Sequence, residues 1–193
     1  MALVKLKLDN LMKMRKEINQ ASKKVVTVGI LGGATYPNGT KVAEVAKYLE
    51  YGWTWKITAR QWRWFAVQGI NLSHDTVFNS PARPFISATI NAKAERWQKF
   101  GQRAIKGLNS TNALNKITQA LKLMGEVAVQ DFQDTIDSGG VGGIKFAERS
   151  PLTMLLYGNL TQGKKTDGTG TTSRKQPLKN QGILSGSIIF DIK

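Results

Sequence analysis

An α+β fold is what the sequence predicts: a small mixed or antiparallel sheet packed against two long helices, with a long glycine-rich arm before the C-terminal strand. Three patterns lead there. Short β-branched or alternating runs occur near both ends of the chain. Two long central stretches repeat apolar residues at helical spacing. Beyond them, at about 138–176, glycine, serine, threonine and lysine replace the apolar residues that a core requires. A chain of 193 residues suits a single domain that contains this arm.

The elements follow in order. Val4, Leu6 and Leu8 alternate with Lys5 and Lys7, the period of a half-buried strand. Asp9 stands where a helix cap belongs, before Leu11, Met14, Ile18 and Ala21 at helical spacing. The run Val25 to Leu31 is β-branched and strand-like, and Gly32 to Gly39 is a loop. Within it Pro37-Asn-Gly39 predicts a tight turn, because proline presets one dihedral and Asn-Gly tolerates positive φ. Thr40 is the expected cap of a helix that groups Val42, Val45, Ala46 and Leu49 and stops at Gly52. Thr58 to Val67 fits a helix or a strand, and Asp75 to Asn79 reads as a strand.

Pro84 has no amide hydrogen to donate and suits the first turn of a helix. Phe85, Ile90, Trp97 and Leu108 carry that helix to about Asn109. A second long helix runs from about Asn112 to Ser138-Gly-Gly140, with Leu114, Leu121, Met124, Ala128 and Ile136 on its stripe. The arm holds Gly142, Gly143, Gly163, Gly168 and Gly170, and is expected to order on contact with a partner. Ile183 to Ile192 then closes the chain as a strand.

Composition excludes several functions. The chain has no cysteine, hence no disulfide and no thiolate metal site. Its one histidine, His74, cannot build a zinc site alone, and no Gly-x-Ser-x-Gly elbow accompanies it. No apolar run of about eighteen residues is present to span a membrane. The N-terminus lacks the apolar block of a signal peptide, so a cytoplasmic location is expected. A net charge of +15 favours polyanions or acidic protein surfaces. The cations form an N-terminal group, a group from Lys93 to Lys106, and an arm group of Lys164, Lys165, Arg174, Lys175 and Lys179. Each also serves as an ordinary solvated surface.

The candidate chemistry is thin. Gly29, Gly32 and Gly33 lack the Lys-Ser/Thr of a phosphate-binding loop and mark a strand-to-helix turn. Asp131, Asp134 and Asp137 fall three apart and could share a cation, although a hard cation wants more oxygens; a solvated helix face is the expected reading. The strongest cluster is Trp53, Trp55, Trp62 and Trp64 interleaved with Lys56, Arg60 and Arg63. Such rings either stack exposed bases beside phosphate-holding cations or anchor a core or subunit interface.

Four motifs in order are similar to the neck, or tail-completion, proteins of tailed bacteriophages. Val26 to Ile30 resembles the family's first central strand, and Tyr36 to Gly52 its glycine-bearing loop and the helix ending in Leu-Glu-aromatic-Gly. Pro81-Ala-Arg-Pro-Phe-Ile86 matches a Pro-x-Arg-Pro-Phe signature. Pro177, Leu178, Gly182, Leu184, Ser187 and Ile188 match its Pro-Leu…Gly-x-Leu-x-x-Ser-Ile ending, with Lys179-Asn-Gln181 in place of the usual Ile-Asp-Thr.

The resemblance implies a non-enzymatic virion protein, assembled in the host cytoplasm into a hexameric or dodecameric ring between the head connector and the tail. Its partners would be other neck, connector and tail-terminator proteins and, nonspecifically, the genomic DNA; no cofactor, metal or membrane is implied. Arg83, Pro84, Phe85, Trp53, Trp55, Trp62, Trp64, Pro177, Leu178 and Leu184 become the expected interface residues. Lys164, Lys165, Arg174 and Lys175 become the expected contacts to DNA or to an acidic partner. The alternative is a sequence-nonspecific nucleic-acid-binding protein that uses the basic surface and the Trp/Arg-rich segment.

Overall fold

The computed structural model describes residues 2–106, 113–150, 152–153, 178 and 182–193. Among them the protein is α+β, built from three helices of 20 or more residues rather than the expected two, shorter helices and three two-stranded antiparallel ribbons. The chain opens with α1 (Ala2–Ala21), followed by β1 (Val26–Gly29) and α2 (Val42–Tyr51). β2 (Trp53–Lys56), α3 (Ala59–Val67) and β3 (Val77–Ser80) come next, then the long helices α4 (Phe85–Ile105) and α5 (Ala113–Ser138). β4 (Gly140–Val141), β5 (Ile144–Lys145), a one-turn α6 (Ile183–Gly186) and β6 (Ile189–Ile192) complete the order.

The expected strand at Val4 to Leu8 is instead part of α1, which runs unbroken through Asp9. Leucine, lysine and methionine are strong helix formers, and five alternating residues without a partner strand do not outweigh that preference. Thr40 is not the cap of α2: Lys41 holds that position with no side-chain cap, while the Thr40 carbonyl accepts from the Tyr36 amide and closes the predicted turn. The ambiguous stretch at Thr58 is a helix, fixed by a capping box. Thr58 Oγ1 accepts from the Gln61 amide while Gln61 Oε1 accepts from the Thr58 amide. The closing strand is shorter than expected. Ile183–Gly186 coils into a helical turn because Ser185 and Ser187 donate their hydroxyls back to the Gly182 and Ile183 carbonyls.

The start of the expected arm is a hairpin. β4 and β5 pair across Gly142 and Gly143, whose φ values of +60° and +84° are those a two-residue hairpin turn demands. Phe146 then enters the main core and Ala147 and Glu148 are held by Arg83, so this part is ordered within the chain's own fold; of the expected arm, residue 151 and residues 154–176 lie outside the described residues.

α4 packs along α5, and the main core gathers Val42 and Ala46 of α2, Phe85 and Ala88 of α4, and Phe132 and Ile136 of α5 around Phe146, Leu178, Leu184 and Ile188. A second, smaller core forms beneath α3 from Ile57, Phe65 and Ile70, with Trp62, Leu72 and Phe78 against it. β6 pairs with β1 in the register Val26↔Ile192 and Val28↔Phe190, so the strand that follows α1 and the last strand meet on α5.

That meeting depends on Gly125. A Cβ there would lie 2.5 Å from the Phe190 ring. Gly125→Ala is therefore expected to destabilise by about 1–2 kcal/mol, overpacking outweighing the gain in helix propensity. Gly101→Ala is the control: its Cβ would meet only the flexible Met124 thioether at 3.2 Å, so chemical denaturation should find it neutral or stabilising.

Candidate assembly site

The two most distinctive sequence motifs interlock. Gly52 ends α2 at φ +73° and ψ 170° and lets that turn lie directly against the Ser80–Ala82 backbone. One residue on, the Arg83 amide donates to the Leu49 carbonyl at 2.7 Å. Arg83 itself is 94% buried, being 6% exposed, and its planar fork spans two consecutive carbonyls. Nε donates to Ala147 O at 2.7 Å and Nη2 to Glu148 O at 2.8 Å. Burial pushes its pKa below the ordinary arginine value, and the Arg149 charge pushes the same way. A guanidinium keeps its proton regardless, so a charged donor holds the segment leaving β5.

Glu50, on the same turn of α2, is also buried. Its carboxylate accepts from the amides of Ile86 at 2.8 Å and Ser87 at 3.0 Å, and from the Ser87 hydroxyl at 2.6 Å. α4 has no acid in its first turn, and Pro84, which stands at its N-cap rather than in the expected first turn, supplies no side-chain cap. Glu50 therefore satisfies the orphan amides and the positive end of the helix dipole from another element. Glu17 of α1 does the same for α5, accepting from the Leu114 amide at 3.3 Å. α4 and α5 are thus both capped in tertiary fashion by a glutamate.

Asp131, grouped in the sequence with Asp134 and Asp137, turns away from them. It is buried against α4, where Arg96 donates to it at 2.6 Å and Trp97 Nε1 at 2.8 Å, with Lys93 Nζ at 3.8 Å. Among the described residues no three His, Cys, Asp or Glu side chains gather as metal ligands. Asp131 lies three residues after buried Ala128 on the apolar side of α5, and that phase was the available sequence signal.

Of the four clustered tryptophans only Trp53 and Trp55 stack on each other, with centroids 4.2 Å apart, and Trp55 leans on Phe78. Trp62 donates to the Leu72 carbonyl at 2.7 Å and stacks on His74 at 3.9 Å, so the one histidine is an exposed stacking partner. Trp64 meets Phe65 edge-on and is 44% exposed. Between this lobe and α2 runs a groove of about 560 Å³, lined by Tyr36, Leu49, Trp53, Trp55, Arg83 and Leu184.

Of the expected interface residues, Arg83, Phe85, Leu178 and Leu184 are buried within the chain's own fold, where they hold the frame. Pro84 and Trp55 are half-buried, and Trp53 and Trp64 reach the surface. Pro177, Lys164, Lys165, Arg174 and Lys175 lie outside the described residues. Among the described residues no helix is long and apolar enough to cross a membrane. The chain matches no protein-family model, no curated protein and no solved structure, which leaves the Arg83–Glu50 lock and the aromatic lobe beside it as the features from which a function is inferred.

Proposed function

We propose that the chain is a non-enzymatic structural protein of the bacteriophage neck, which assembles into a ring and helps to join the DNA-filled head to the tail. One observation carries this reading. The charged groups of its two signature motifs, Arg83 and Glu50, are buried and bonded chiefly to backbone, fixing where α2, α4 and the segment after β5 meet. Chemistry used in this way serves a rigid frame, and it leaves the aromatic lobe standing at the surface as a docking element.

The competing reading is sequence-nonspecific nucleic-acid binding, which the +15 charge favours. It is less well supported because Trp53 and Trp62 are already stacked on Trp55 and His74, within the protein. Electron microscopy of lysates from a phage with a nonsense mutation in this gene tests the proposal. Filled heads and finished tails that fail to join are the expected result; normal infectious virions would overturn it.

A further inference from the structure

We propose that the outward face of α3 is one half of a head-to-tail contact between copies of this chain, and that the acidic stripe ending α5 is the other half. This rests on the ring reading above and names the surfaces that would build the ring. In α3, Phe65 points into the small core, whereas Arg60, Arg63, Trp64 and Val67 share the opposite face within about 100° of arc. All four are exposed, Val67 by 82%. Asp75 is the only acid between Trp53 and Ser80, and it is paired with Lys56. No described carboxylate forms an ion pair with Arg60 or Arg63.

The complementary surface is on α5. Leu123, Glu126, Gln130, Asp134 and Asp137 are exposed and lie along one stripe of that helix. Of the thirteen acids in the chain, four fall between Glu126 and Asp137, and only Asp131 of these is buried. The strongest acidic concentration is thus carried by the same +15 chain that presents the unpaired arginines.

Each surface is electrostatically unfavourable when alone. Arg60 is the second residue of α3, at the positive end of its dipole, and the first turn contains no acid. Asp137 is in the last turn of α5, at the negative end, and that turn contains no base. Bringing the two ends together relieves both mismatches. Trp64 and Val67 against Leu123 would supply an apolar centre, and tryptophan with arginine is the composition of interface hot spots. An exposed valine and an edge-packed tryptophan suit a protein surface better than a phosphate backbone. Because the two faces differ, the contact is heterologous, and its repetition closes into a ring when the rotation allows.

Two charge-reversed full-length variants test this, Arg60→Glu/Arg63→Glu and Asp134→Lys/Asp137→Lys, followed by sedimentation over a range of concentration. Wild type should associate, and each variant alone should need about tenfold or more protein to do so. Thermal unfolding should leave each variant as stable as wild type or more so, since each reversal corrects a dipole mismatch. An equimolar mixture should recover association, because the reversed α3 face of one meets the reversed α5 stripe of the other. A monomeric wild type, a variant that associates normally, or a mixture without recovery would overturn the proposal. So would loss of single-stranded DNA binding by Arg60→Glu/Arg63→Glu with association unchanged, which would assign the face to nucleic acid. Should charge reversal unfold either variant, alanine at the same positions gives the association test. Failure of the neck reading would be distinct, because virions normal without the gene leave the result on purified protein intact.

Discussion

Gly52→Ala is expected to lower stability by roughly 2–6 kcal/mol. Two costs add at this site. A φ of +73° with ψ 170° is backbone that essentially only glycine adopts. The new Cβ would also sit 2.8 Å from both Ala82 N and Ser80 O, which are backbone atoms and cannot swing aside. They are held in place by the Arg83 amide on the Leu49 carbonyl. Gly33→Ala is the open-space comparison, because Gly33 also has positive φ, +63°, but nothing within 4 Å of its Cβ. That variant should lose only about 1 kcal/mol. Urea denaturation of the pair decides the matter: equal losses would mean that the close approach at Gly52 carries no energetic weight.

Arg83→Ala should cost about 3 kcal/mol, and Arg83→Lys about half as much. Arginine satisfies two successive carbonyls, Ala147 O and Glu148 O, with one planar group. An ammonium can serve one of them well but not both in that geometry. Arg83→Met would fill the space and still leave two acceptors unpaired, so it should resemble alanine rather than wild type. The accompanying signature is local. Amide exchange should rise at Phe146 to Arg149 before it rises in α5, because the guanidinium is what ties that segment to the start of α4. Uniform loss of protection throughout the chain would show instead that Arg83 acts on the whole core.

Several elements were legible because their determinants are local. Gly52 announced the end of α2, and the apolar spacing of α4 and α5 announced two long helices close to their observed bounds. The Thr58-Ala-Arg-Gln61 capping box was also present in the sequence and would have settled α3 in favour of helix. The N-terminal alternation misled because five residues of period two carry less weight than the helix preference of leucine and lysine. Arg83 stood out in the Pro-x-Arg-Pro-Phe signature and was expected at an interface, whereas it is buried on two carbonyls of its own chain. Its acceptors could not be named, since they lie 64 and 65 residues downstream in a glycine-rich stretch without a pattern.

By itself the sequence determined where α2, α4 and α5 run, where the tight turn before α2 falls and that the fold is α+β, since periodicity, helix stops and positive φ concern partners a few residues away. Only the tertiary structure decided that Glu50 and Glu17 cap α4 and α5, from 36 and 97 residues away, and that Asp131 is turned inward on Arg96 and Trp97. The physical reason is that a buried charge must find its partner in space, and a helix end accepts any carboxylate that packing delivers to it. Nothing in the spacing along the chain distinguishes the glutamate that will arrive there from one that remains in water.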